Sequence, residues 1–175
     1  ACAATRTVVL PDRELPADWG ARRSALQSWP GFELRGRVAV ARGDEGFSGA
    51  LRWTQTGARA RLEVDGPLGV GGARYELDAA DTDDAALERA LGVPVPVASL
   101  RYWLLGVPDP ASAAEESLDP GAARLASLRQ AGWSVAYPRY APVPATRLEL
   151  PRLIEVTREG VRVRLLIEDW QGVRP

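Results

Sequence analysis

GVPVPVASLRYWLLGVP, residues 92–108, separates two blocks of predicted strands and thereby decides the fold class of this chain. Pro94 and Pro96 precede a helix predicted from Val97 to Leu105, and Gly106 and Pro108 end it. The helix is apolar on nearly every side, through Leu100, Tyr102, Trp103 and Leu104. Its position between strand blocks predicts a sheet that curls around helices.

The residues from Phe32 to Leu77 alternate between apolar and polar, which is typical of half-buried antiparallel strands. The apolar series contains Leu34, Gly36, Val38, Val40, Leu51, Trp53, Ala60, Leu62 and Val64. Gly66-Pro67-Leu68-Gly69 interrupts the alternation and predicts a turn or loop. One further strand reaches about Asp78.

Two more helices are predicted beside the first strand block. Asp18 is a suitable N-cap for a helix from about Trp19 to Trp29, which Pro30 and Gly31 end. The other begins at the capping run Asp81 to Asp84 and carries Ala86, Leu87, Ala90 and Leu91.

The C-terminal block returns to strands after a polar loop that is predicted from Asp109 to Gly121. The predicted strands are Arg124 to Gln130, Trp133 to Tyr140, Arg147 to Leu150, Leu153 to Arg158 and Val161 to Trp170, with a hairpin turn at Glu159-Gly160. Strands, then helices, then strands indicate an α+β fold with an antiparallel sheet.

Composition narrows the classes of function. The chain of 175 residues has no His, no Met and one Cys, which excludes most metal sites, most hydrolytic triads and every intramolecular disulfide. The net charge of -1 and the absence of a long apolar run give no reason to expect nucleic acid or a spanning helix. Charge is nevertheless uneven: +1 over residues 1–80, -6 over 81–120 and +4 over 121–175, so a basic C-terminal part could face an acidic partner.

The first residues differ from the rest. Residues 1–17 lack periodicity and are predicted to be a flexible tether, whereas residues 18–175 have the length of one domain. The single cysteine is Cys2, at a place where there is no core to bury it.

Several ordered stretches resemble the LolB family. They are LRGRVAV from Leu34, RWTQTG from Arg52, GPLG from Gly66, GVPVPVASLRYWLLGVP from Gly92, GWSVAY from Gly132 and IEDW from Ile167. The resemblance covers about Trp19 to Trp170. It implies an incomplete antiparallel β-barrel with helices over an apolar cavity, no catalysis and no cofactor.

The same resemblance implies a function. Members accept acylated lipoproteins from a soluble LolA-like carrier and insert them into the inner leaflet of the outer membrane. They are anchored by lipid on their first cysteine and face the periplasm. Cys2 matches that lipidation position, and Ala3 after it fits delivery to the outer membrane. The implied partners are the carrier, client acyl chains and phospholipid, and the chain is expected to be a monomer.

Strand parity and helix face select candidates for the acyl-chain cavity, although a one-residue slip would exchange the faces of a strand. For each tryptophan an ordinary core role is the more common alternative. The candidates are Val38, Val40, Leu51, Trp53, Leu62, Val64, Leu100, Trp103, Leu104, Val135, Leu148 and Leu165.

Three other features have competing interpretations. Leu68, flanked by Gly66, Pro67 and Gly69, matches the apolar tip that the family is thought to insert into membrane, but a turn residue tucked onto its sheet is the alternative. Arg35 is either a contact to the helical lid or a solvent-facing charge. The pairs Asp83/Asp84 and Glu115/Glu116 suit caps and solvation better than glycoside hydrolysis.

Two alternatives to the receptor stay open. One is a soluble LolA-like or lipocalin-like carrier of a small apolar ligand, and Cys2 and the GPLG loop argue against it. The other is an enzyme, which the absence of His disfavours without removing a carboxylate hydrolase.

Overall fold

The computed structural model describes residues 17–66, 72–78, 88, 93–144 and 148–172. Helix α1 is Trp19–Gln27 and helix α2 is Val97–Leu104. The strands are β1 Gly31–Arg42, β2 Glu45–Thr56, β3 Arg59–Asp65, β4 Ala73–Asp78, β5 Ala114–Leu118, β6 Leu125–Gln130, β7 Trp133–Pro142, β8 Glu149–Arg158 and β9 Val161–Gly172. No helix in these ranges is long and apolar enough to cross a membrane.

The described strands form one antiparallel sheet in the order β4-β3-β2-β1-β9-β8-β7-β6-β5. It consists of two meanders, β4 to β1 and β5 to β9, which are joined where β1 pairs with β9. The sheet curls without closing. The α+β class and the incomplete antiparallel barrel predicted from the sequence are therefore confirmed.

Period-two alternation separates the two faces of the sheet. In β1, Leu34, Val38 and Val40 are buried while Arg35 and Arg37 are exposed. The buried series of both meanders face one core, which α2 shares through Leu100, Trp103 and Leu104. Burying these side chains is the main favourable contribution to folding.

Helix α1 begins where the sequence predicts. The backbone N–H of Ala21 donates to Asp18 Oδ2 at 2.9 Å, which satisfies one of the free amides at the helix start. The helix ends at Gln27, two residues before the predicted Trp29. Leu26 is its buried residue.

Two predictions for the C-terminal block are wrong. The polar loop predicted from Asp109 to Gly121 contains β5, whose backbone pairs with β6 although most of its side chains are polar. The two strands predicted from Arg147 and from Leu153 are one strand, β8, which continues through Pro151. Register shifts in β7 opposite this proline let the pairing accommodate its missing N–H.

Some predicted features lie outside the described residues. They include the tether with Cys2, the turn residues Pro67, Leu68 and Gly69, and nearly all of the helix predicted after Asp81. Of that helix only Glu88 is described, and it is helical and exposed.

Candidate functional site

The candidate site is an apolar cavity between α2 and the concave face of the sheet. Two prolines, Pro94 and Pro96, bring the chain to α2, and Pro96 occupies the N-cap without a side-chain cap hydrogen bond. Gly106 leaves the helix with a φ of +77°, a conformation that suits glycine. These residues lay α2 across the sheet, with Leu100 and Leu104 facing the cavity.

The cavity has a volume of about 20 Å³. Its lining is entirely apolar: Leu51, Trp53 and Leu62 from β2 and β3, Val95, Leu100 and Leu104 from the helical side, and Val156, Val163 and Leu165 from β8 and β9. A space of this size holds roughly one water-sized sphere. A hydrocarbon chain therefore does not fit into this space at its present size.

All twelve residues predicted for the cavity are buried, so the buried face was assigned correctly for β1, β2, β3, β7 and β9. Six of them line the cavity: Leu51, Trp53, Leu62, Leu100, Leu104 and Leu165. The other six, Val38, Val40, Val64, Trp103, Val135 and Leu148, belong to the surrounding core.

Sequence reasoning missed Val95, Val156 and Val163. Val163 has the same strand parity as Leu165, and Val156 pairs with Val163, so alternation could have identified both. Val95 lies in an irregular stretch between prolines, where no periodic signal exists.

A larger depression of about 580 Å³ lies at the strand turns, around Gly43, Gly132 and Gly160. It is lined mainly by polar groups, among them Arg158, Glu159 and Arg162. This depression is unsuited to hydrocarbon, whereas the smaller cavity under α2 has a wholly apolar lining and is therefore the candidate site.

A buried polar cluster fixes α2 through the helix face that neighbours the cavity-lining face. Trp103 Nε1 donates to Gln130 Oε1 at 2.9 Å, and Gln130 lies on β6. The Tyr137 hydroxyl, from β7, donates to the Trp103 carbonyl at 3.0 Å. Burial raises the pKa of Tyr137 well above its ordinary value, so this phenol stays a donor beyond the pH at which an exposed tyrosine ionises.

Helix α1 is held against two strands of the C-terminal meander, β5 and β8. Trp19 Nε1 and Arg23 Nη1 donate to the two oxygens of Glu116 on β5, at 2.7 and 2.8 Å. Arg22 Nη2 donates to the Glu149 carbonyl at 2.6 Å. Burial lowers the pKa of Arg22, and a guanidinium keeps its charge in proteins.

Arg35 and Glu116, for which the sequence allowed competing roles, both have contacts that explain them structurally. Arg35 lies on the outer face, half exposed, with its Nε 3.9 Å from Glu33 Oε1, and α2 packs against the opposite face. The lid contact considered for Arg35 is therefore replaced by the solvent-facing alternative. Glu116 is occupied by α1, and no group of three or more His, Cys, Asp or Glu residues in the described ranges could hold a metal.

Comparison with known proteins gives consistent results. The model of the LolB family, which is described as outer membrane lipoprotein LolB, matches residues 30–83 and 73–170 of this chain. Outer-membrane lipoprotein LolB of Nitrosomonas europaea is 36% identical over 81% of this chain and 73% of its own length. That of Pseudomonas savastanoi pv. phaseolicola is 34% identical over 89% and 82%.

Among solved structures, a DUF1329 family protein from Desulfovibrio piger superposes with a TM-score of 0.51, covering 88% of this chain and 90% of that one. Its sequence is 7% identical, so the likeness concerns the fold alone.

Proposed function

The chain belongs to the LolB family of outer-membrane lipoproteins, and on that premise we propose that it accepts acylated lipoproteins from a LolA-like periplasmic carrier and inserts them into the inner leaflet of the outer membrane. The observation that carries the proposal is the wholly apolar cavity under α2. It offers no hydrogen-bonding group to a ligand, so it suits a hydrocarbon chain.

Transfer would proceed by differences of affinity. Each methylene that leaves water contributes about 0.8 kcal/mol wherever it is buried, so moving a chain from one apolar site to another is nearly neutral. A difference of about 1.4 kcal/mol between successive sites biases a transfer tenfold. Rearranged contacts around the cavity supply such a difference without nucleotide hydrolysis.

Acyl binding by the body of the protein tests this proposal. A dansyl-labelled fatty acid should bind residues 18–175 and change Trp fluorescence. Leu100→Ser places a hydroxyl in the cavity and should weaken binding roughly tenfold or more. Leu148→Ser makes the same change at a buried leucine that does not line the cavity, and it should leave affinity nearly unchanged.

The fatty-acid affinities of the two serine variants are compared only if urea unfolding of both stays cooperative, because each substitution lowers the free energy of unfolding by several kcal/mol. Leu62→Phe is a second test, since it fills the space that the chain would occupy. Equal affinity for wild type, Leu100→Ser and Leu62→Phe would contradict the cavity as the acyl site.

We extend the proposal to the anchor. Cys2 would carry a thioether-linked diacylglycerol and an acylated amine, which together hold a protein on a bilayer far more firmly than one chain. The intact mass of protein extracted from its native membrane should show these additions. An unmodified Cys2 in protein that stays in the aqueous phase of a detergent partition would favour the soluble carrier instead.

Leu68 would act in release rather than in anchoring. Gly66, two residues before it, directly follows β3. Burying one leucine at the bilayer boundary contributes roughly 2 kcal/mol, which is too little for an anchor. Leu68→Glu should leave receipt of cargo from the carrier intact while cargo delivery to liposomes falls. Normal delivery, or equal loss at both steps with lowered stability, would make Leu68 a structural turn residue.

A further inference from the structure

Gln130 uses every hydrogen bond that its side-chain amide can make. It is 3% exposed, and its Oε1 accepts from Trp103 Nε1 and from the Asp109 backbone N–H, both at 2.9 Å. Its Nε2 donates to the carbonyls of Asp109 and Ser112, both at 2.8 Å. One side chain of β6 therefore holds both α2 and the segment that leaves it.

The cluster extends to an earlier turn of α2. The Ser99 hydroxyl donates to Asp109 Oδ2 at 2.8 Å, and Asp109 Oδ1 accepts from the Ala111 N–H at 2.9 Å. Ser99 and Trp103 are four residues apart, so they lie on one face of α2. That face is bonded to the β6 and β7 side of the molecule.

The neighbouring face of α2 meets β2 and β3 differently. Leu100 and Leu104 share the apolar cavity with Leu51 and Leu62. None of these four leucine side chains can form a hydrogen bond across it. The Trp53 indole N–H in that wall donates to Gln55 of its own strand. A bond from Arg101 to the Trp29 carbonyl, at the longer distance of 3.4 Å, lies beside β1.

These two faces resist separation unequally. Breaking a buried hydrogen bond leaves polar groups without partners, which costs free energy. Separating apolar surfaces costs little when an acyl chain takes the place of the lost neighbour, because the surface stays out of water.

We propose that Gln130 is a positioning residue: it clamps α2 to β6, so that the cavity opens for acyl chains between α2 and the β2–β3 wall. The proposal rests on the acyl-transfer function above and adds the direction of opening. The cavity then needs no general loosening of the core, because α2 tilts about its bonded face.

Gln55 supplies a matched control. It is also a buried glutamine that accepts from a tryptophan indole, at 3.0 Å, but its bonds go to Trp53 and Gly57 near it on the chain. Gln130→Leu and Gln55→Leu therefore remove similar chemistry, but only Gln130→Leu removes a hydrogen bond to α2. Trp103→Phe is a milder variant that removes one of the four bonds to Gln130.

Hydrogen exchange measures the clamp without any ligand. In Gln130→Leu the backbone amides of residues 100–107 should exchange at least tenfold faster than in Gln55→Leu, at urea concentrations that equalise global stability. Trp103→Phe should show a smaller increase in the same amides. Equal exchange of these amides in the Gln130 and Gln55 variants would overturn the proposal.

Ligand release gives the second readout. The dansyl fatty acid should dissociate about tenfold faster from Gln130→Leu than from Gln55→Leu, because α2 has then lost its hydrogen bond to β6 and moves more readily. If wild type binds the probe and both variants release it at one rate, the clamp is wrong while the receptor function stands. If wild type binds no probe, the receptor function fails, and hydrogen exchange alone decides the clamp.

Discussion

Gly36 lies on β1 directly beside the backbone of β9. A Cβ at this position would meet the backbone oxygen of Leu166, and a register shift follows Arg35 on the same strand. Because backbone atoms cannot rotate away, the strand pair itself would have to move.

We therefore expect Gly36→Ala to lower the free energy of unfolding by about 2–4 kcal/mol in urea titration. Gly121→Ala is the control, since its nearest neighbour is the Asp119 side chain at 3.9 Å and no backbone atom opposes it. Similar stability of the two variants would show that β1 and β9 have room at Gly36.

The raised pKa of Tyr137 predicts how the stability of the fold depends on pH. Burial, and then the nearby Tyr140, raise the pKa of Tyr137 in the folded protein, while the unfolded chain has the ordinary value of about 10. Above pH 10 the unfolded state loses its proton first, so stability falls as pH rises towards the folded pKa.

Tyr137→Phe removes the bond to the Trp103 carbonyl and should cost about 1 kcal/mol at pH 7. The difference in unfolding free energy between wild type and Tyr137→Phe should shrink between pH 9 and pH 11. Only the wild type loses stability through Tyr137 as the pH rises, because the variant lacks this phenol. Urea unfolding at each pH measures it. A constant difference over this range would mean that the folded phenol titrates normally.

At the scale of elements, the pairing of α1 with β5 depends on one carboxylate. Glu116 accepts from both Trp19 and Arg23, and its side chain is 20% exposed. Its neighbour Glu115 is exposed on the same strand.

Glu116→Ala should destabilise the fold by about 1–2 kcal/mol and speed hydrogen exchange in α1. Glu115→Ala should change neither. If the two variants behave alike, apolar contacts rather than Glu116 hold α1 in place.

At the scale of the molecule, β1 and β9 join the two meanders into one sheet. Ile167 on β9 is 2% exposed and pairs with Gly36. Since its side chain belongs to the shared core, the two meanders should lose stability together.

Ile167→Ala should cost roughly 2–5 kcal/mol, with far-UV circular dichroism and Trp fluorescence giving one coincident unfolding transition. Glu168→Ala alters the next residue, half exposed on the outer face, and should have little effect. Two separate transitions in Ile167→Ala would show that the meanders fold as independent units.

The sequence alone determined the α+β class, the position of α2 and the buried face of every predicted cavity strand. Those properties follow from periodicity, because a buried side chain at every second position indicates which face is covered. The family motifs, read from the order of residues, led to the same function as the relatives.

Only the tertiary structure decided which buried residues line the cavity. Trp103 and Leu104 are adjacent and both buried, yet one bonds to Gln130 and the other faces the cavity, since this depends on where distant strands pass. β5 was not predicted because it has no alternating apolar face. It is a strand because its backbone pairs with β6. Contacts between residues far apart in the chain leave no local pattern, so the fold itself was needed to reveal them.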